Sequence, residues 1–247
     1  MCANYHPVTA QDRLLQFFGV DRPVGAVPPE LYPVQLGPFI LRRDDRVEVE
    51  RQIELGLFGL VPHWAKDIAF GRRTYNARSE TADRLPSFRD SWRRGQRCIV
   101  PAEAIFEPSY ETGRAVRWRI GLSDGRPMGL AGLWGWWRAP DGREVLSFAM
   151  LTINADDHAL MRRFHKPGEE KRMVVILDPA DYDAWLECPV ERAREFLKPY
   201  PAELMVAEPA PRRESGGRAS GTRQARAGYI ATGEAHCTRT GFGYPMT

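Results

Sequence analysis

The sequence predicts a mainly-β body of the α+β class, and three observations carry that prediction. Val47, Val49, Ile53, Leu55 and Leu57 take odd positions while Glu48, Glu50, Gln52 and Glu54 take even ones, the period-2 alternation of a half-buried strand or hairpin. Further short apolar runs, Cys98 to Val100, Trp118 to Leu122, Met128 to Trp134, Leu146 to Thr152 and Met173 to Leu177, have the length and the β-branched or aromatic content of strands. Stretches with helical signals are few and short. Many strands and few helices in one chain make an α+β body.

In chain order, Thr9-Ala10-Gln11-Asp12 resembles a capping box, and Leu14, Leu15, Phe17 and Phe18 follow it up to Gly19, so a short amphipathic helix is expected after the terminus. Pro-rich linkage runs from Arg22 to Pro38 before the strands begin. After the Met173 run, Asp178 followed by Pro179 reads as an N-cap and first helical position, with Tyr182, Trp185 and Leu186 as the buried face. A second short helix is expected from Val190 to Leu197. Apolar periodicity stops near Pro209, so the chain divides into a body, residues 1–209, and a basic tail, residues 210–247, expected to be disordered.

Composition removes several classes of function. No run of 18 apolar residues exists, and the start lacks the basic and apolar regions of a signal peptide, so a cytoplasmic protein is expected. Four cysteines at 2, 98, 188 and 237 form no CxxC pair, which argues against structural zinc and a disulfide framework. There is no GxSxG, HExxH, Walker or GxGxxG pattern, so no metal or nucleotide cofactor is expected. The formal charge of +3 sits in the tail: from Pro211 onward six Arg face two Glu, a balance of +4, and residues 1–210 carry −1. Local charge says more. Between Arg72 and Arg97 lie eight arginines against Glu80, Asp83 and Asp90, with Tyr75, Phe88 and Trp92 interleaved, a pattern suited to a single-stranded nucleic acid.

Chemistry enters at Cys2. Removal of the initiator Met1 would make it N-terminal, with a thiol of ordinary pKa about 8.5 beside an α-amine near 7.7 to 8.0. Such an amine attacks an aldehyde to give a Schiff base, and the thiol on the neighbouring carbon closes a five-membered thiazolidine. An internal cysteine has no such amine. Other polar residues stand in apolar or aromatic settings: Asn76 and Arg78 in Tyr75-Asn76-Ala77-Arg78-Ser79-Glu80-Thr81, Glu107 after Phe106, Thr152 at a strand end, and His165 ahead of Lys166-Pro167-Gly168. Each has a structural explanation when taken singly.

Together with Cys2, Gly59-Leu60-Val61-Pro62-His63-Trp64, the Asn76–Thr81 run, Arg97-Cys98-Ile99-Val100-Pro101-Ala102 leading to Phe106-Glu107, Phe148 to Thr152, and His165 ahead of Arg172-Met173-Val174-Val175-Ile176-Leu177, the chain resembles the SOS response-associated peptidase (SRAP) family of abasic-site processing proteins. The resemblance covers roughly residues 2–207. It departs at Ala3-Asn4, where the family has Gly-Arg, and at Ala104 and Pro108, which replace a glycine and a tryptophan beside Glu107.

The resemblance implies a curled antiparallel or mixed sheet, or a barrel-like core, with a few short helices. It also implies capture of abasic sites in single-stranded DNA by a covalent thiazolidine crosslink through Cys2, with peptidase-like self-removal of Met1 and lyase-type chemistry. Cys2, Asn76, Glu107 and His165 are then catalytic, and Arg78, Trp64, Thr152 and Arg172 face DNA. The protein is expected as a monomer, associated with the nucleoid when bound to DNA and with no membrane partner. An N-terminal-nucleophile cysteine amidohydrolase and a non-catalytic single-strand binding module are the competing readings. His158 is the rival of His165; Asp156-Asp157 predict a short helix towards Arg163 with His158 in its first turn, facing solvent.

Overall fold

The structure, a computed structural model, describes residues 2–42 and 50–212. Val47 and Val49 of the alternating stretch, and the tail from residue 213, lie outside the described residues. Eleven strands and three α-helices are found among those described. They are β1 (Tyr5–Pro7), α1 (Gln11–Phe18), β2 (Leu36–Arg42), β3 (Arg51–Phe58), β4 (Asn76–Arg78), α2 (Arg89–Arg93), β5 (Arg97–Ser109) and β6 (Val116–Leu122). There follow β7 (Met128–Arg138), β8 (Glu144–Asn154), β9 (Arg172–Val174), β10 (Ile176–Leu177), α3 (Tyr182–Glu187) and β11 (Met205–Pro209).

A closed five-strand barrel forms the centre, in the order β7-β8-β3-β2-β5 and back to β7. One joint, β3 with β8, is parallel, and the other four are antiparallel. An even number of direction reversals is what closure of the ring requires. A barrel this narrow is filled by side chains. Phe39, Phe58 and Phe148 are fully buried with ring centroids 5.4 and 5.6 Å apart, and Tyr5 meets Phe58 edge-on at 5.2 Å. The remaining strands lie outside: β6 and β11 extend the sheet beyond β5, β1 pairs with β5, β4 and β9 with β8, and β10 with β7.

Strand β5 organises the arrangement, because its two halves belong to different neighbourhoods. Residues 97–102 pair with β7 in the barrel, while Ile105 to Ser109 pair with β6 outside it. On the other edge β1 lies antiparallel, with Tyr5 opposite Ile105. The sequence reads only Cys98 to Val100 as this strand, since Pro101, Pro108, Glu103 and Glu107 break its apolar run. The structure extends it to Ser109 because it is buried along nearly its whole length and needs no alternation.

The helices differ from expectation in detail. Helix α1 starts after Ala10, which has no capping side chain, so Thr9 is not its cap; Gly19 ends it as expected, in the left-handed region, and donates its N–H to Leu15. Asp178 accepts from the Ala180 N–H and starts a 3-10 turn that passes into α3. The Val190 segment is a 3-10 helix, Val190–Phe196. The helix expected between Asp156 and Arg163 is reduced to the 3-10 turn Met161–Arg163.

Candidate functional site

Cys2 is carried to the end of β5 by β1. The carbonyl of Asn4 accepts the Phe106 N–H at 3.0 Å and lies 3.5 Å from the Cys2 Sγ, so thiol and Glu107 are brought to neighbouring positions by one stretch of pairing. Cys2 and Glu107 are both buried, at 2% and 3% exposure. Burial pushes the thiol far above its ordinary range, and the charge of Glu107 adds to the shift. At neutral pH the sulfur therefore keeps its proton. The Tyr75 phenol is also raised, first by burial and then by its interaction with Cys2 and Glu107, which puts it within electrostatic reach of both groups.

His165 arrives from the other side. The segment after β8 returns to the outer end of β5, where the His165 N–H donates to the Pro108 carbonyl at 2.9 Å and Phe164 bridges to Ser109. The ring Nε2 then lies 3.3 Å from Glu107 Oε2, a charge-pair distance without hydrogen-bond alignment, and Nδ1 has no partner among the described residues. His165 also adopts φ of 65°, unusual for a non-glycine residue and worth about 1–3 kcal/mol of strain. Its surroundings hold it there: Lys171 Nζ donates to the carbonyls of His165 and Lys166 at 3.1 and 2.7 Å. A 7% exposed imidazole against a buried carboxylate is suited to moving a proton.

His158 is not solvent-facing as the sequence predicts. Its Nδ1 accepts the N–H groups of Leu160 and Met161 at 3.2 and 3.0 Å, which leaves Nε2 protonated to donate to the Tyr200 carbonyl at 2.8 Å. Both nitrogens are spent on structure.

Asn76 opens β4, one residue after Tyr75. It is 7% exposed; its Nδ2 donates to the Tyr75 carbonyl and its Oδ1 has no partner among the described residues. Two positions on, Arg78 lies in register with Thr152 of β8 and is half exposed, paired with Glu170 at 2.8 Å. Thr152 and Arg172 are placed otherwise than the sequence reading has them. Arg172 is 3% exposed; it holds Glu80 at 2.9 Å, Glu170 at 2.7 Å and the Thr152 carbonyl at 2.7 Å, while Thr152 is 1% exposed. Both are buried beneath Arg78 and Glu170, with no face open to DNA in this arrangement. Arg97 leaves the basic set too, since its buried guanidinium donates to the Trp185 and Cys188 carbonyls.

Trp64 stands on the loop after β3, 45% exposed, edge-on to Phe70 at 5.0 Å. That loop turns on Gly59, whose φ is 130°; a Cβ there would lie 2.2 Å from the Gly71 carbonyl oxygen. Glycine permits the close approach. The sequence reading has Tyr75 as an aromatic among the arginines, whereas the structure sets it beside Cys2 and Glu107. That reading missed Arg117, which leaves no local signal because its partners lie on distant segments. Among the described residues, no group of three or more His, Cys, Asp or Glu side chains is placed to hold a metal, and no helix is long and apolar enough to cross a membrane.

This fold has counterparts among known proteins. A solved crystal structure of a protein from Bordetella bronchiseptica is 41% identical and superimposes with a TM-score of 0.79 over 85% of this chain and 99% of that one. The abasic site processing protein YoqW of Bacillus subtilis (strain 168) is 30% identical over 213 residues, 84% of this chain and 91% of its own length. The abasic site processing protein HMCES of Gallus gallus is 25% identical over 197 residues, 68% of this chain and 56% of its own length. The family model described as SOS response associated peptidase (SRAP) matches residues 1–213, the whole span that builds the barrel and gathers Cys2, Glu107 and His165, and the chain belongs to that family.

Proposed function

We propose that the protein captures abasic sites in single-stranded DNA by a covalent crosslink through Cys2, once Met1 is removed. The observation that carries this reading is the convergence of Cys2, Glu107 and His165 at the outer end of β5, in a chain whose relatives are named for abasic site processing. An abasic sugar in its open form carries an aldehyde at C1′. The α-amine of Cys2 adds to that carbon, and loss of water gives an imine. The thiol then adds to the same carbon; its proton passes to the nitrogen, and a thiazolidine results. The net change is loss of one water.

The raised thiol suits this order of steps. A sulfur that keeps its proton at neutral pH leaves the amine to attack first, and the thiol follows once the imine has formed. Glu107 is placed to shuttle protons as hydroxyl and amine exchange at the carbon, and His165 to protonate the sugar oxygen as the ring opens. Asn76, with its Oδ1 unspent, orients the amine. Arg78 offers the half-exposed guanidinium for a phosphate, and Trp64 an aromatic face for a base. Removal of Met1 by the same groups, a peptidase-like self-processing, is part of this proposal.

The test is intact mass after mixing with a single-stranded oligonucleotide containing one abasic site. The wild type is expected to gain the mass of the DNA less one water, stable to heat. Cys2→Ser keeps the amine and is expected to give only an imine trapped by borohydride, and an acetylated terminus nothing. A heat-stable adduct on either would sink the thiazolidine chemistry.

A further inference from the structure

Cys2 packs into the core and joins β1 through Ala3 and Asn4, so what fixes Asn4 bears on the pose of the nucleophile. Asn4 is fixed unusually well. Its carbonyl faces both the Phe106 N–H and the Cys2 thiol. Its Nδ2 donates to the Leu31 carbonyl at 3.2 Å and approaches Glu30 at 3.4 Å, and its Oδ1 accepts from Arg117 Nη2 at 2.8 Å. Since Arg117 can only donate, the amide can be oriented only this way round.

Arg117, on β6 opposite Pro108, ties several segments together around Asn4. Its Nη2 is also 2.8 Å from Glu30 Oε2, its Nη1 donates to the Ala210 carbonyl at 3.3 Å, and its guanidinium covers the Phe106 ring at 3.5 Å, one residue from Glu107. The Tyr32 hydroxyl donates to the same Glu30 oxygen at 3.0 Å. The two hydrogens of Nη2 serve the amide and the carboxylate, Nη1 reaches Ala210, and the planar group lies over a ring; an ammonium cannot do all of this.

We propose that Arg117, acting through Asn4, is the positioning residue that holds the Cys2 arm against Glu107. Its effect on rate rests on the abasic-site reading above, whereas its effect on the exposure of Cys2 does not. The full-length chain with Met1 removed is compared with Arg117→Met, Arg117→Lys and Asn4→Ala. One readout is the rate of iodoacetamide alkylation at Cys2 without DNA, resolved by peptide mass. The others are the single-turnover crosslinking rate at saturating abasic single-stranded DNA and the salt dependence of DNA affinity.

With the clamp removed, Cys2 alkylation is expected to rise about tenfold and the crosslinking rate to fall about tenfold, as loss of orientation at a reacting centre commonly does. DNA affinity and its salt slope stay as in the wild type. The Lys variant resembles the Met variant, because charge alone does not restore the fork. Folded variants in which Cys2 is alkylated at the wild-type rate would overturn the proposal. So would an Arg117→Met variant whose affinity and salt slope fall, by about 0.7 for one lost phosphate contact, and are restored by lysine. Should the Arg117 variants not fold, Asn4→Ala decides alone, since it leaves the Arg117–Glu30 pair in place. Faster alkylation together with no crosslink even in the wild type would uphold the clamp and reject the abasic-site reading.

Discussion

Two histidines seven positions apart, His158 and His165, show how environment assigns chemistry. His158 caps a 3-10 turn with one nitrogen and holds the Tyr200 carbonyl with the other, so a proton taken or given there breaks a structural bond. His165 has a free Nδ1 among the described residues and a buried carboxylate beside Nε2. His165→Ala is therefore expected to slow single-turnover crosslinking by something like 10²-fold with little change in melting temperature. His158→Ala is expected to keep the rate and lose about 1 kcal/mol of stability in urea titration, as a lost cap does. The reverse pattern would exchange their roles. The sequence separates them only through loop placement; that His158 is a cap depends on Tyr200, 42 residues away.

At the scale of elements, the site is built where short pieces meet long strands. β1 brings Cys2, β4 brings Asn76 and Arg78, and the segment ending at β9 brings His165, all against β5 and β8. The loop carrying Trp64 depends on the contact between Gly59 and Gly71, where backbone meets backbone. Gly59→Ala would place a Cβ into a carbonyl and force a positive φ on alanine; a loss of about 2–3 kcal/mol is expected by chemical denaturation. A loss under about 0.5 kcal/mol would mean that the turn relaxes freely. The motif was legible in the sequence as Gly59 to Trp64, but its partner Gly71 was not, since a close approach leaves no periodic mark.

Across the whole molecule, acidic groups hold the outer segments to the barrel. Burial raises the Glu30 and Glu80 carboxyls, yet hydrogen bonds from Arg117 and Tyr32 to the first, and from Arg172 to the second, outweigh it and leave both below their usual range. The hydrogen bond from Arg172 lowers Glu170 as well. A lowered folded pKa stabilises fully above the unfolded value, about 4.3, and the gain is lost as pH falls through the folded value. The melting temperature is thus expected to be level from pH 7 to about 5 and to drop below about 4.5. Glu30→Gln should make that acid arm shallower; an arm of equal steepness would remove Glu30 from it. The ordered contacts continue past Pro209, since Ala210 pairs with Arg117 and Arg212 donates to the Tyr32 hydroxyl at 2.6 Å. Truncation after Arg212 is expected to leave melting temperature and crosslink yield unchanged, whereas truncation after Pro209 should cost measurable stability.

The sequence by itself determined the class of fold and the approximate places of its strands, and it named candidate chemical groups, because alternation, run length, turn residues and motifs are read along the chain. It underread β5, whose prolines and glutamates interrupt an otherwise apolar run although the strand is buried on both faces. It placed Arg97, Thr152 and Arg172 by residue type, which marks a guanidinium or hydroxyl but not the direction it faces. Only the tertiary structure decided that these turn inward, that five strands close on one another, and that Asn4 receives Arg117 from 113 positions away. The physical reason is the same in each case: burial and hydrogen-bond partnership depend on which distant segments the closed barrel brings together, and neighbours along the chain do not encode that.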